Sequence, residues 1–365
     1  MLRGATGLAA AAPLGFLLHD ASAAESETAA GALSAERGPV EAGATIRPEV
    51  PLTHLSVPAG AQVRLQTADG WQPWRIAAGC PGVQDAAPAA PSNALMPAKG
   101  TGAYQVRNAS GAVTELHIPA GPAGAADKAS APLPLPRADR AQWRPRYLSR
   151  QAWGADESYR YNPDGTLDTP PAFFPVQTLT VHHSGEDEPI EDPIEHIRSI
   201  YYNQAVTMDW GDIGYQLLID ANGRVYEGVY SDPDPVPVFG PELSPAGLPM
   251  MVNGSHVGGF NAGNIGVCVL GNTMLKPPTA AAVRSLTIVL ALLAKATRLD
   301  PEGTTNYVNP ISGSAATVRT ISGHQDWHNA NPAAGATLCP GDSLYAQLPA
   351  IRRQAALLTR LLPGA

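Results

Sequence analysis

Ile213-Gly214-Tyr215-Gln216-Leu217-Leu218-Ile219-Asp220-Ala221-Asn222-Gly223-Arg224-Val225-Tyr226-Glu227 is the stretch on which the fold of this chain turns. Two apolar runs, Ile213 to Asp220 and Arg224 to Glu227, flank Ala221-Asn222-Gly223. An Asn-Gly pair between such runs is the strongest short-range hairpin signal, because both residues tolerate the positive φ of a tight turn. Further strands follow on either side. Ile265 to Leu270 is an unbroken apolar run, as expected of a central strand covered on both faces. Leu179-Thr180-Val181 is a short strand running into His182, and Val318 to Ile321 is another, ending at Gly323-His324. Helical spacing appears between them. Ile190 to Tyr202 puts Ile194, Ile197, Ile200 and Tyr201 on one side. Pro278 and Thr279 open a long helix through Arg298, with Val283, Leu286, Leu290 and Leu293 aligned. Asp342 is placed to cap a last helix that buries Leu344, Leu348 and Ile351. The reading is an α/β domain over 147–365, a mixed central sheet flanked by helices.

The chain ahead of it is built differently. Residues 1–24 hold one early basic residue (Arg3), an apolar run from Ala5 to Leu18, and Ala-Ser-Ala-Ala at 21–24. That is the layout of a secretory signal peptide, and it predicts a secreted protein of the extracellular space or cell wall. Residues 25–45 are small and polar and read as a linker. Over 46–119, short alternations at Val63/Leu65, Tyr104/Val106 and Thr114/Leu116/Ile118 predict a small β-rich module. Its Trp71 and Trp74 are expected to fill the module's core. Residues 120–146, with Pro132, Pro134 and Pro136 spaced by two, read as an extended tether.

Composition narrows the partners. The net charge is −8 with no Lys/Arg-rich run, which argues against a nucleic-acid binder. Past the leader, no stretch reaches the roughly 18 uninterrupted apolar residues of a membrane span. Cys80, Cys268 and Cys339 are too few for a disulfide framework; Cys80 and Cys268 read as two small buried hydrophobes, with a single Cys80–Cys268 bridge left open.

Six of the nine histidines, His182, His183, His196, His256, His324 and His328, lie in the α/β domain. His182 and His324 each follow a predicted strand, at the ends that face the ligand crevice in open α/β sheets. Cys339 comes fifteen positions after His324. Two imidazoles and a thiolate, with a fourth position open, is a recognised plan for catalytic zinc. Such zinc lowers the pKa of its water to about 7 and polarises a carbonyl. Spacing by itself is a weak pattern, since these residues are scattered along the chain.

A family resemblance strengthens it. Leu148-Ser149-Arg150-Gln151-Ala152-Trp153-Gly154-Ala155 resembles the entry segment of peptidoglycan recognition proteins, and Val181-His182-His183-Ser184 continues the likeness. So do Trp210-Gly211-Asp212-Ile213-Gly214-Tyr215, Gly223 to Gly228, Gly254 to Asn261, Asn264-Ile265-Gly266-Val267, Gly323-His324 and Cys339-Pro340-Gly341-Asp342. They fall in the family's order and cover nearly all of 147–355; the first 145 residues lie outside it. The family is similar to the phage-type N-acetylmuramoyl-L-alanine amidases.

The resemblance implies zinc held by His182, His324 and Cys339, and hydrolysis of the lactyl-amide bond between muramic acid and L-Ala of peptidoglycan. Tyr215 matches the catalytic tyrosine, and Thr337 a polar group beside the metal. His256 and Asn261 match a segment lining the groove and are expected to contact substrate. His183 points to the opposite face of its strand and is expected to pack or hydrogen-bond. Three departures stand out. Asn329 to Ala336 adds a loop before Cys339, Tyr230 to Val252 is long and Pro-rich, and Asn203 replaces a histidine in what is expected to be a packing difference. Stem peptides with diaminopimelate or lysine both stay open. So do two other readings: a module that binds wall fragments without cutting them, and a hydrolase with Cys339 as nucleophile, for which no local motif is present.

Overall fold

A seven-stranded mixed sheet carries the site. In a computed structural model, which describes residues 32–77, 93–120, 130–136, 143–186, 190–231 and 236–362, its strands have a definite order. From one edge they are Ile321–Gly323, Thr178–His183, Asn264–Val269, Leu217–Ile219, Val225–Glu227, Arg146–Leu148 and Ala131–Pro132. Thr178–His183 runs parallel to both its neighbours, and Leu217–Ile219 is parallel to Asn264–Val269. The expected hairpin is present: Leu217–Ile219 pairs antiparallel with Val225–Glu227, and Gly223 in the turn has φ 79°.

Alternation along the strands divides the domain into two cores. Leu179, Val181, Leu217, Ile219, Val225, Val267 and Val269 share one cluster with the helices Ala280–Thr297 and Leu348–Leu361. Leu148, Leu218, Tyr226 and Cys268, one residue out of phase, join Ile197, Ile200 and Tyr201 of the helix Pro193–Tyr202 on the other face. Thr279 caps the long helix by accepting from Ala282 N, and Arg298 ends it in the left-handed region, matching the bounds read from the sequence. That helix is long and apolar enough to cross a membrane by composition, yet most of it is buried in this core.

The C-terminal reading needs a correction. Asp342 lies inside the first turn of a short helix, Asp342–Tyr345, capped by Gly341, and a separate helix Leu348–Leu361 follows. Pro349 explains the break, since its ring is tolerated only in the first turn of a helix. A hairpin that the sequence reading passed over, Thr304–Val308 with Ala315–Arg319, stands beside the sheet's Ile321 edge.

The N-terminal strands form two antiparallel sheets around one core of Leu55, Val57, Val63, Leu65, Tyr104, Val106 and Val113. The first strand, Leu33–Arg37, lies within the segment read as a linker and pairs with Val113–His117. Trp71 and Trp74 are not in that core. Both are partly exposed and pack against guanidinium groups: Arg64 lies 4.8 Å and 4.9 Å from the two rings, and Arg107 lies 4.1 Å from Trp74.

Nor does the module hang from a tether. Leu95 and Leu116 enter the cluster of Ile197, Ile200, Tyr201 and Tyr215, and His54 meets His196 and Ser199 on the helix Pro193–Tyr202. Leu133 and Leu135, between the spaced prolines, are fully buried against the sheet. Every second residue of Pro-Leu-Pro-Leu-Pro faces inward, and prolines, which donate nothing to a ladder, are tolerated at the sheet's edge. The predicted leader 1–24, the linker up to residue 31, Cys80 and much of 120–146 lie outside the described residues.

Candidate metal centre

His182 is the fifth residue of Thr178–His183, directly opposite Cys268 on the face that carries the helix Pro193–Tyr202. His324 opens the helix His324–Ala330 immediately after the neighbouring strand. Cys339 arrives on the following loop, whose carbonyl accepts from Gln325 N at 2.8 Å. A Cβ on Gly323 would sit 2.8 Å from Pro340 and Tyr345, so glycine there lets the Cys339 loop close on the strand.

The three side chains, 157 positions apart at the extremes, converge. One donor atom from each of His182, His324 and Cys339 lies within 4.8 Å of the others, and all three are buried. Cys339 Sγ is 3.5 Å from His182 Nδ1. A tetrahedral zinc with bonds of about 2.1 Å to nitrogen and 2.3 Å to sulfur has an N–S edge of about 3.6 Å. The donor set and its spacing therefore fit that ion. His183 N points at the sulfur from 3.4 Å, a contact that favours thiolate over thiol.

Hydrogen bonds fix which imidazole nitrogen is available. The carbonyl of Asn264 can only accept, and it lies 2.9 Å from His256 Nε2. Nε2 of His256 thus carries the proton, and its Nδ1 accepts from His182 Nε2 at 3.0 Å. His182 is left with a lone pair on Nδ1, the atom beside Cys339. A chain of this kind orients a metal-binding ring and raises its basicity.

This arrangement corrects the expectation for His256 and Asn261. Both are fully buried behind His182 rather than facing a groove. Asn261 Oδ1 accepts from the backbone N–H groups of His256 and Val257, which holds the His256 ring in place. Gly266 completes the support, because a Cβ there would lie 2.7 Å from the His256 ring. Glycine inside a strand pattern signals such a close approach, and Gly266 was the one available clue to this arrangement.

The remaining expectations are met unevenly. His183 does hydrogen-bond on the far side, with Nδ1 3.1 Å from Thr273 Oγ1 and 3.2 Å from Thr273 N. Tyr215 is buried with its ring centre 5.2 Å from that of His182. Thr337 accepts from Cys339 N at 3.1 Å, so it shapes the turn into Cys339 and keeps its hydroxyl proton for another acceptor. The extra loop is ordered around Ala334, which packs with Trp327, Phe260 and Tyr307. His328 lies in the last turn of the His324–Ala330 helix, outside the converging trio.

The α/β domain thus gathers two histidines and a cysteine whose donor atoms could hold a metal ion. Residues 172–342 match the family model described as N-acetylmuramoyl-L-alanine amidase. The chain is similar to human peptidoglycan recognition protein 3, 26% identical over 184 residues, covering 49% of this chain and 46% of that protein. It is also similar to human N-acetylmuramoyl-L-alanine amidase, 29% identical over 201 residues, covering 54% of this chain and 26% of that protein. The chain thus spans less than half the length of either. Among solved structures, Drosophila PGRP-LB aligns with 56% of this chain and 92% of its own, at 21% identity and a TM-score of 0.37.

Proposed function

We propose that the protein is a zinc-dependent N-acetylmuramoyl-L-alanine amidase, exported to act on peptidoglycan. The observation that carries the reading is the convergence of His182 Nδ1, Cys339 Sγ and His324, with Tyr215 beside them. His182, His324 and Cys339 would hold the ion, leaving the fourth position to solvent or substrate. Zinc bound there would supply a Lewis acid for the scissile carbonyl and a water activated at neutral pH.

The chain's own groups do the rest. Water adds to the lactyl carbonyl carbon, the bond to the L-Ala nitrogen breaks, and the products are a lactyl carboxylate and a free amine on the peptide. The Tyr215 hydroxyl donates to the oxygen on which charge develops, a role worth about 3–4 kcal/mol where such donors have been removed. The Asn264–His256–His182 chain keeps the first imidazole from turning. Thr337 keeps Cys339 in its turn.

Digestion of purified peptidoglycan, with products read by mass spectrometry, tests this. Stem peptides beginning at L-Ala should be released, lost with chelator, restored by zinc and absent for Cys339→Ala. Zinc-loaded, folded protein that binds the wall without cutting it would replace the amidase with a recognition module.

A further inference from the structure

One sheet of the N-terminal module, built from Gln62–Thr67, Gly70–Trp71, Arg75–Ile76 and Ala103–Arg107, has a face that the metal centre does not use. Gln62–Thr67 pairs antiparallel with Ala103–Arg107, so that Gln62 lies opposite Arg107 and Arg64 opposite Gln105. Val63, Leu65, Tyr104 and Val106 enter the module's core, which puts Gln62, Arg64, Gln105 and Arg107 on the other side. Both guanidinium groups lie against Trp74, 4.9 Å and 4.1 Å from its ring centre, and Arg64 is also 4.8 Å from Trp71. All of these residues precede the matched family segment 172–342.

The two arginines are held in place, but their charge is not met. Arg64 Nε donates to Gln105 Oε1 at 2.6 Å, and Arg107 Nε donates to Gln62 Oε1. These bonds and the ring contacts fix the plane of each guanidinium while using only its inner nitrogen. Among the described residues, the terminal nitrogens of Arg64 and Arg107 have no acceptor, and neither arginine has a carboxylate partner. The stretches 62–76 and 103–107 hold Arg64, Arg75 and Arg107 against a single carboxylate, Asp69, in a turn. In a chain of net charge −8 this is a local reversal of sign. Like charges gathered on one ring repel, and an entering anion relieves that repulsion.

We propose that this face binds an anionic wall glycopolymer, a chain of sugar-bearing polyols joined by phosphodiesters, and so anchors the protein apart from its metal centre. The paired terminal N–H groups of a guanidinium match two oxygens of a phosphate. Successive phosphates of one chain engage both arginines, whereas an isolated carboxylate meets one. Trp71 and Trp74 are partly exposed and offer flat apolar surface to the sugars between phosphates. Only the setting at the wall rests on the amidase reading; the chemistry of the face does not.

Calorimetry of the full chain with soluble glucosylated poly(glycerol phosphate) tests this, at low and at physiological salt. Unglucosylated polymer, poly-L-glutamate and a single-stranded oligonucleotide serve as comparisons. The glucosylated polymer should bind tightest, and its affinity should fall as salt rises. Arg64→Gln combined with Arg107→Gln should weaken it about tenfold or more, the scale of lost hydrogen bonds to a charged group. Arg107→Lys keeps the charge but loses the fork and the stacking, and should weaken binding as well. Trp74→Leu should remove the preference for the glucosylated form. Circular dichroism confirms that each variant is folded. Equal binding of all the polyanions, or parental affinity in the double variant, would overturn the proposal. Tighter binding of the oligonucleotide would replace the glycopolymer with a nucleic acid. Polymer-free peptidoglycan left uncut by the unaltered protein, with polymer binding intact, would strike the amidase reading alone.

Discussion

His182 Nε2 lies 3.0 Å from His256 Nδ1, and His256 Nε2 lies 2.9 Å from the Asn264 carbonyl. Because the last acceptor is a backbone oxygen, both tautomers are set, and His182 Nδ1 is turned toward Cys339. His256→Phe keeps a ring of similar width but removes the acceptor and the relay. Zinc affinity should fall by about 10–100-fold, as for other partners of metal-bound imidazoles. Competition with a calibrated chelator measures it, alongside circular dichroism to confirm the fold. Affinity equal to the parent would mean that His256 only fills space.

Tyr215 is buried with its ring centre 5.2 Å from that of His182, and it lines a small cavity with Trp210 and Ser184. Removing only its hydroxyl with Tyr215→Phe should leave zinc content and unfolding midpoint unchanged. The rate constant kcat should fall by about 10²–10³ if the hydroxyl donates to the developing oxyanion. A rise in KM at constant kcat would instead give Tyr215 a role in ground-state binding.

Much of this architecture was readable before any coordinates, where local chemistry and tertiary placement agree. The Asn-Gly turn, the all-apolar run at 265–270 and the capped helix from Thr279 all state their structure in a few residues. The trio at His182, His324 and Cys339 was legible only through family segments, because topology rather than spacing brings it together. Pro-Leu-Pro-Leu-Pro misled because prolines suggest a tether, whereas Leu133 and Leu135 supply the period-two face that the sheet's edge buries. Trp71 and Trp74 misled for the reverse reason, since large aromatics also serve as surfaces for Arg64 and Arg107. His256 stood in a segment that matched a groove, and only its two hydrogen bonds reveal that it backs His182 instead.

Gly266 tests that last point without touching a polar atom. It lies in the central strand Asn264–Val269, where any other residue would aim its Cβ at the His256 ring from 2.7 Å. The ring cannot slide away without breaking its bonds to Asn264 and His182. Gly266→Ala should cost about 1–3 kcal/mol of stability, the usual scale of overpacking. It should also weaken zinc retention, whereas a change confined to strand propensity would leave the metal untouched. Denaturant unfolding and metal analysis on the same preparation separate the two.

The contact between the N-terminal module and the helix Pro193–Tyr202 should be sensitive to acid. His54 is 4% exposed, with Nε2 3.2 Å from Ser199 Oγ and 3.4 Å from His196 Nδ1. Burial, reinforced by His196 and Lys99, pushes the His54 pKa well below its ordinary value. Lys99 in turn pairs with Glu195 at 3.2 Å, and His196 faces Glu186, so among the described residues no carboxylate offsets the charging of His54. The unfolded chain takes up a proton at His54 as pH drops below about 6.5, while the folded chain resists it. Stability is therefore lost as pH falls through that value, by up to about 1.4 kcal/mol per pH unit from this group. Glu186, whose carboxyl is held low, contributes in the same direction but only at more acidic pH, below its ordinary value of 4.5. Denaturant midpoints compared between pH 7 and pH 5 thus isolate the histidine. His54→Gln, which can still reach Ser199, should flatten the decline over that interval. An equal decline in the variant would place the acid-sensitive group elsewhere.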